Sequence, residues 1–265
     1  MNKFSHVFAV CAYKESPYLA DCLQALKDQS APAQILIATS TPNAYINKMA
    51  EKFEVPVFVS GRESGIGRDW NFALSCAEAD FVTIAHQDDI YLRDYLQSIE
   101  EYNRLAKDPI LFFTDYGELR NQKEVYDNRL LQVKRKINAF LKPRIFWHSR
   151  FMRNRTLSVG NAICCPSVCI HKSKFPDFRF DETMTCDLDW DAWSRLAKEK
   201  GSFVYIPRPL MLHRIHEGSE TTNQLEEGKR FAEDLEMFRR YWPRPLAKMI
   251  MKKYATSTDS NKISG

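Results

Sequence analysis

The sequence predicts an α/β fold in which a mostly parallel, Rossmann-like sheet is flanked by helices. Three observations carry that expectation. Short apolar runs alternate with amphipathic helical stretches through residues 1–116, the pattern of strands joined by crossover helices. Two of the helical stretches follow start signals, Ser16-Pro17 and Thr41-Pro42, each a capping hydroxyl before a ring already fixed at helical φ. An acidic turn, His86-Gln87-Asp88-Asp89, comes directly after an apolar run, at the carboxyl end of a strand, where open α/β sheets bind their ligands.

Taken in order, residues 7–12 form the first buried strand, and Tyr18, Leu19, Cys22, Leu23 and Leu26 then recur at helical spacing, so that one stripe faces the sheet. Residues 35–38 are the second strand, a helix with Tyr45, Ile46, Met49 and Phe53 on one side follows, and residues 55–59 are the third. A loop punctuated by Gly61, Gly65 and Gly67 leads to a helix over 68–78 and a fourth strand over 81–85 that ends in the acidic turn. A helix over 92–107 precedes a strand over 110–114. The alternation then stops. Residues 117–160 read as a loop and short basic helices, 162–170 as a strand returning to the sheet, 187–200 as a helix, 203–206 as a strand and 226–241 as an amphipathic helix. The tail 255–265, rich in Ser, Thr, Lys and Asn, is expected to be disordered.

With 265 residues, 44% hydrophobic and 27% charged, the chain can bury one large core and lacks the bias of a disordered segment. The apolar run at 7–12 is too short for a signal-peptide core or a bilayer span. Seven cysteines, an odd number, lie mostly in apolar runs, so a cytoplasmic protein with free thiols is expected. Cys164, Cys165 and Cys169 lack the paired spacing of a structural zinc site. The glycines do not form a dinucleotide fingerprint, and no P-loop occurs.

Three polar constellations are candidates for chemistry. Asp88 and Asp89 place two carboxylates together with no Lys or Arg in the turn, which fits either a divalent cation with oxygen ligands or a solvated turn capping the following helix. Asp187, Asp189 and Asp191 alternate around Leu188 and Trp190; they read as partners of a helix dipole, or one of them as a general base with a raised pKa. His213-Arg214-Ile215-His216, with Ser219, Thr221 and Thr222, follows an apolar segment. It reads as structural, or as imidazole for a metal or phosphate with Arg214 neutralising a diphosphate.

Taken together, these segments resemble the family 2 glycosyltransferases of the GT-A fold, over roughly residues 7–222. The resemblance rests on Val10-Cys11-Ala12-Tyr13-Lys14-Glu15, Asn71, the acidic turn, Asp187-Leu188-Asp189-Trp190 and the late His-Arg-Ile-His run. It implies an inverting transfer of a sugar from a nucleotide donor (UDP-, GDP- or dTDP-linked) to a hydroxyl acceptor. Under it, Ala12, Tyr13, Glu15, Thr39, Asn71, Gln87, Asp88 and Arg214 contact the donor, while Asp88, Asp89 and His216 hold Mg²⁺ or Mn²⁺. Asp189 is the catalytic base, and Asp187, Trp190 and Asp191 lie on the acceptor side. The chain departs from the family at Thr39-Ser40-Thr41, where an acidic loop is usual, and at His86, where Asp is usual. The division implied is a GT-A domain over 1–222 (nucleotide-binding half 1–116, acceptor-side half 117–222), C-terminal helices over 223–254, and the tail.

The net charge of +4 is uneven: residues 128–176 hold no Asp or Glu but carry Arg129, Lys134, Arg135, Lys136, Lys142, Arg144, Arg150, Arg153 and Arg155, interleaved with Phe140, Phe146, Trp147 and Phe151. Cations beside aromatics suit an anionic membrane surface and a glycan or lipid-linked acceptor, in surface polysaccharide or glycolipid assembly at the inner face of the membrane. They equally suit a soluble basic face against the acidic remainder of the chain. No nucleic-acid-binding module accompanies the charge. The competing functional readings are a catalytically lapsed GT-A domain acting as a binding module, and a metal-dependent nucleotidyl or phosphoryl transferase using the same acidic turn.

Overall fold

Alternation along the strands divides the apolar residues between two cores, one on each face of a single sheet. The computed structural model describes residues 4–216 and 227–258. Among these the strands are β1 (His6–Ala12), β2 (Gln34–Thr39), β3 (Val57–Val59), β4 (Phe81–His86), β5 (Ile90–Tyr91), β6 (Pro109–Arg120), β7 (Lys123–Val125), β8 (Val168–His171) and β9 (Ser202–Ile215). Their order is β3-β2-β1-β4-β8-β6-β9-β5, with β7 paired to β6. β1 to β4 are mutually parallel, as are β6 and β9; β8 runs antiparallel between β4 and β6, and β5 turns back on β9.

The helices are α1 (Leu19–Lys27), α2 (Ala44–Phe53), α3 (Ile66–Cys76), α4 (Tyr95–Leu105), α5 (Arg129–Asn138), α6 (Arg150–Leu157), α7 (Leu188–Leu196), α8 (Glu227–Arg239) and α9 (Arg244–Thr258). Phe112 packs with Phe8, Leu23, Ile46 and Tyr95 under α1, α2 and α4, whereas its neighbour Phe113 packs with Trp70, Trp190, Trp193 and Phe238 under α3, α7 and α8. Successive strand residues point to opposite faces. Trp190 and Trp193 are almost fully buried; removing either indole should cost about 3–5 kcal/mol.

Several boundaries differ from those read in the sequence, each for a local reason. α1 starts after Ser16-Pro17 rather than on it, and the Ser16 hydroxyl accepts from the Tyr18 N–H at 3.3 Å. Asn43, not Thr41, caps α2, its Oδ1 accepting from Ile46 N at 2.9 Å. The Thr41 hydroxyl is engaged elsewhere: it accepts from Lys14 N at 2.6 Å, where Lys14 takes φ 52°. β8 is shorter than the predicted strand, because residues 165–167 form a tight turn through Pro166. At Gly67 a Cβ would meet the Asp181 carbonyl at 2.9 Å, so glycine lets the 181–182 segment lie directly on α3.

The largest difference is β9, which runs on for nine residues beyond the strand expected at 203–206. Pro207 and Pro209, which argue against a strand, fall where the register with β6 shifts, from Thr114↔Ile206 to Asp115↔Pro209. A bulge tolerates the missing N–H groups. The extended strand then pairs with β5, Ile90 opposite Leu212, and so carries its end to the acidic turn.

The C-terminal helices are part of the core rather than an appendage. Met237, Phe238, Ala247 and Met251 are fully buried against the α7 side, and Tyr254 lies 5.9 Å from Trp190, ring to ring. α9 continues to Thr258, past the expected start of the tail at residue 255. Residues 259–265, and Ser219, Thr221 and Thr222, lie outside the described residues. No helix of the described residues is long and apolar enough to cross a membrane.

Candidate active site

The acidic turn joins β4 to β5, and the end of β9 lies beside it, so residues more than 120 positions apart form one cluster. Asp89 is fully buried: its Oδ1 accepts from Arg214 N at 2.9 Å and lies 3.0 Å from His213 Nδ1. Its Oδ2 has no hydrogen-bond partner in the protein, and His86 Nδ1 is 3.8 Å from it. Asp88 Oδ2 lies 3.0 Å from His216 Nε2, and the Asp88 carbonyl accepts from Arg214 Nε at 2.8 Å. Arg214, itself buried, crosses the Tyr18 ring at 4.3 Å and reaches Asp21 at 3.3 Å.

Electrostatics follow this packing. Burial raises the Asp88 carboxyl, but His86, the hydrogen bond from His216 and the nearby His213 outweigh it and hold Asp88 below the ordinary carboxylate range. Burial lowers the His213 imidazole, and the Asp89 charge and hydrogen bond more than reverse this. A buried carboxylate oxygen and a buried imidazole Nε2 on His86, both without partners, are costly unless something charged completes them. His86, Asp88 and Asp89 each offer a ligand atom, all within 4.8 Å of one another. Two carboxylates and an imidazole form a donor set able to hold a divalent metal cation. His86, which the sequence showed only as a departure from Asp, thus belongs to the donor set together with Asp88 and Asp89, and His216 reaches it through Asp88.

Gln87 ties the turn to the loop after β1. Its amide accepts from Tyr13 N and donates to the Tyr13 carbonyl, both at 3.0 Å, like a short piece of sheet. Tyr13 and Glu15 are solvent-exposed beside it. Ala12 and Thr39 pair across β1 and β2 and are buried, the Thr39 hydroxyl accepting from Thr41 N. Asn71 differs from the donor contact expected of it: its amide clamps the Phe180 backbone at 2.7 and 3.0 Å and reaches Glu182, bracing the chain that lies on α3.

The second acidic run divides. Asp189 is partly exposed; its Oδ2 accepts from Asn161 at 2.7 Å and its Oδ1 from Trp190 N at 2.8 Å. Burial raises its pKa against those hydrogen bonds and against the nearby charges of Lys134 and His86. The three residues expected on the acceptor side, Asp187, Trp190 and Asp191, are all buried. Trp190 is core, its Nε1 donating to the Leu157 carbonyl. Asp191 is buried between Arg195 and Arg240, at 2.8 and 2.5 Å, and pins the end of α8 to α7. Asp187 is buried against Asp234 of α8, and burial, Asp234 and Asp189 push it up to about 9. Glu233 of α8 accepts the N–H groups of Thr185, Cys186 and Asp187 and so holds the segment that leads into α7.

Lys134 and Asn161 are the site residues that sequence reasoning missed. Lys134 faces inward from α5 and donates to the Tyr116 hydroxyl at 2.8 Å. Neither carries a motif; the tertiary path of the basic insertion brings Asn161 onto Asp189 and the Lys134 charge near it.

The profile of "Glycosyl transferase family 2" matches residues 7–172, more than half of the chain. The chain belongs to glycosyl transferase family 2. Its fold agrees with GT-A glycosyltransferases of known structure. TarS 1-349 from S. aureus in complex with UDP-GlcNAc aligns with TM-score 0.64 and 14% identity over 97% of this chain and 73% of that one. The mannosyltransferase PcManGT from Pyrobaculum calidifontis, in complex with GDP-Man and Mn²⁺, aligns with TM-score 0.61 and 12% identity over 98% and 74%. Against the longer S. aureus TarS structure the TM-score is 0.60 at 14% identity, covering 96% of this chain but only 43% of that chain. No curated protein sequence matches the chain. In this family 2 member the matched region holds the acidic turn and ends before Asp189 and β9.

Proposed function

We propose that the protein transfers a sugar, with inversion, from a nucleoside diphosphate donor to an acceptor hydroxyl. The observation that carries this is the His86, Asp88 and Asp89 donor set, buried on one side and buttressed by His213, Arg214 and His216 from the end of β9. Family membership and the two neighbours whose structures hold UDP-GlcNAc and GDP-Man support the same reading.

Within it, Asp189 takes the proton of the acceptor hydroxyl as that oxygen bonds to the anomeric carbon and the bond to the diphosphate oxygen breaks, the electron pair leaving with the nucleoside diphosphate. Asn161 aims the carboxylate, and the raised pKa makes Asp189 a stronger base than an exposed Asp. Gln87 holds the loop of Tyr13 and Glu15 beside the turn, where the nucleoside would lie. Mg²⁺ or Mn²⁺ at His86, Asp88 and Asp89 would supply positive charge against the leaving diphosphate. A glycan or lipid-linked acceptor, in surface polysaccharide or glycolipid assembly at the inner membrane face, accords with the basic insertion beside Asp189.

Calorimetry with UDP, GDP and dTDP, each with and without Mg²⁺ or Mn²⁺, tests the donor half. Metal-dependent binding of one nucleotide is expected; no binding under any condition would remove the basis of the proposal. Release of pyrophosphate from a nucleoside triphosphate, instead of a nucleoside diphosphate from the sugar donor, would favour a nucleotidyl transferase.

A further inference from the structure

The insertion between β7 and β8 exposes three large apolar side chains, Phe140, Ile145 and Phe151, while others beside them in sequence are buried. Phe140 is 52% exposed and the adjacent Leu141 not at all; Ile145 is 79% exposed and Trp147 only 4%. The same short turns therefore anchor themselves in the core and hold other apolar residues out in water. Trp147 Nε1 donates to the Leu141 carbonyl, fixing the two turns to one another. Phe151, 69% exposed, opens α6, which packs on the first of these turns. Arg144 donates to the Leu105 carbonyl, bringing the exposed end of α4 to the same patch.

The charge of this face is single-signed. Three of its nine cations turn inward: Lys134 to Tyr116, Arg135 to Asp115, and Arg153 to the carbonyls of Ala197, Glu199 and Gly201. The others are exposed, and among the described residues Arg129, Lys136 and Lys142 have neither an ion pair nor a side-chain hydrogen bond. A basic face neutralised by the acidic remainder of the chain would show those pairs. Exposed apolar tips and unpaired cations in one insertion, with no Asp or Glu from residue 128 to 176, match a surface that is negative at its rim and apolar just beneath.

We infer that Phe140, Ile145 and Phe151, with Arg129, Lys136 and Lys142, form a docking face for an anionic lipid bilayer. The inference is independent of sugar transfer, because docking needs neither donor nor acceptor. Its consequence for the site is geometric: Asn161, from the same insertion, donates to Asp189, so a membrane-borne acceptor would meet the base from this side.

The test is co-sedimentation of the full chain with vesicles of phosphatidylcholine alone or mixed with phosphatidylglycerol. Preferential binding to the phosphatidylglycerol vesicles, weakened by salt, is expected. Lys136→Glu with Lys142→Glu should lower binding roughly 20-fold or more, since each cation near such a surface is worth about fivefold. Phe140→Ser, Ile145→Ser and Phe151→Ser together should lower it at least about tenfold. All of these side chains are exposed, so an unchanged melting temperature checks that the variants fold. Equal binding to both vesicle types, no binding, or wild-type binding by the apolar variant would overturn the inference. A dimer in sedimentation velocity that the apolar variant abolishes, without vesicle binding, would assign the face to a second copy and overturn it equally.

Discussion

The two acidic runs of this chain, 86–89 and 187–191, look alike in sequence and differ in structure. In the first, a turn between strands gathers its side chains, and Asp88, Asp89 and His86 converge within ligand distance of each other. In the second, Asp187, Asp189 and Asp191 fall at successive i, i+2 positions around the start of α7, where each step of two turns the side chain by about 200°. Their fates diverge accordingly: one is buried against Asp234, one stays partly exposed on Asn161, and one is locked between two arginines. A cluster in sequence becomes a cluster in space on a turn, and disperses on a helix.

The comparison breaks first at Asp88. Asp88→Asn should abolish metal-dependent nucleotide binding and lower transfer by about 10³-fold or more, the several kcal/mol that a metal supplies to a leaving diphosphate. Asp191→Asn, by contrast, should lower the melting temperature through the loss of its arginine partners. If calorimetry and turnover showed the two variants equally impaired in nucleotide binding, the distinction between the runs would fail.

Asp189 is the single member of the helical run assigned to chemistry. Asp189→Asn should reduce kcat by about 10²–10⁴-fold with nucleotide binding intact. Wild-type turnover would return the whole run to a structural part.

The same contrast explains what the sequence could show. The parallel half of the sheet, with its period-two strands and helical stripes from residue 7 to residue 114, was legible because local pattern and tertiary position agree there. The turn at Asp88 and Asp89 was legible for the same reason, since a polar pair at a strand end has one place to go. β9 was not, because Pro207 and Pro209 are anti-strand signals whose cost is absorbed by a bulge against β6, a non-local partner. Nor was the inward turn of Lys134 onto Tyr116, or the burial of Asp187 and Asp191, since α8 and the Arg240 that follows it supply Asp234, Glu233 and a guanidinium from more than 40 residues downstream.

Asp187 sharpens the contrast through stability. Its pKa rises from 3.8 to about 9 on folding, so folding takes up a proton between those values. The stability it allows is fully present below the unfolded value and is lost as pH rises toward 9. Asp187→Asn, which cannot ionise, should remove that loss and stabilise the protein by on the order of 2 kcal/mol at pH 8, or roughly 5 °C, and by less at pH 5. Thermal melts of the two proteins across this range would check it; a constant difference would show that Asp187 is not held neutral.

The smallest expected effect isolates how Asp189 is tuned. Burial raises its pKa, and the hydrogen bond from Asn161 favours the charged form and restrains that rise. Asn161→Ala removes the restraint, so the carboxylate needs a higher pH to form, and the acid limb of kcat/KM should move upward. At a pH above the limb kcat should fall only about tenfold or less, through looser aim of the base, and KM for the donor should not change. A merely structural asparagine would lower the whole profile uniformly without moving the limb. A profile that keeps its position would therefore detach Asn161 from the base, whereas a shifted limb would show that the basic insertion sets the charge state of the one Asp of the 187–191 run left partly exposed.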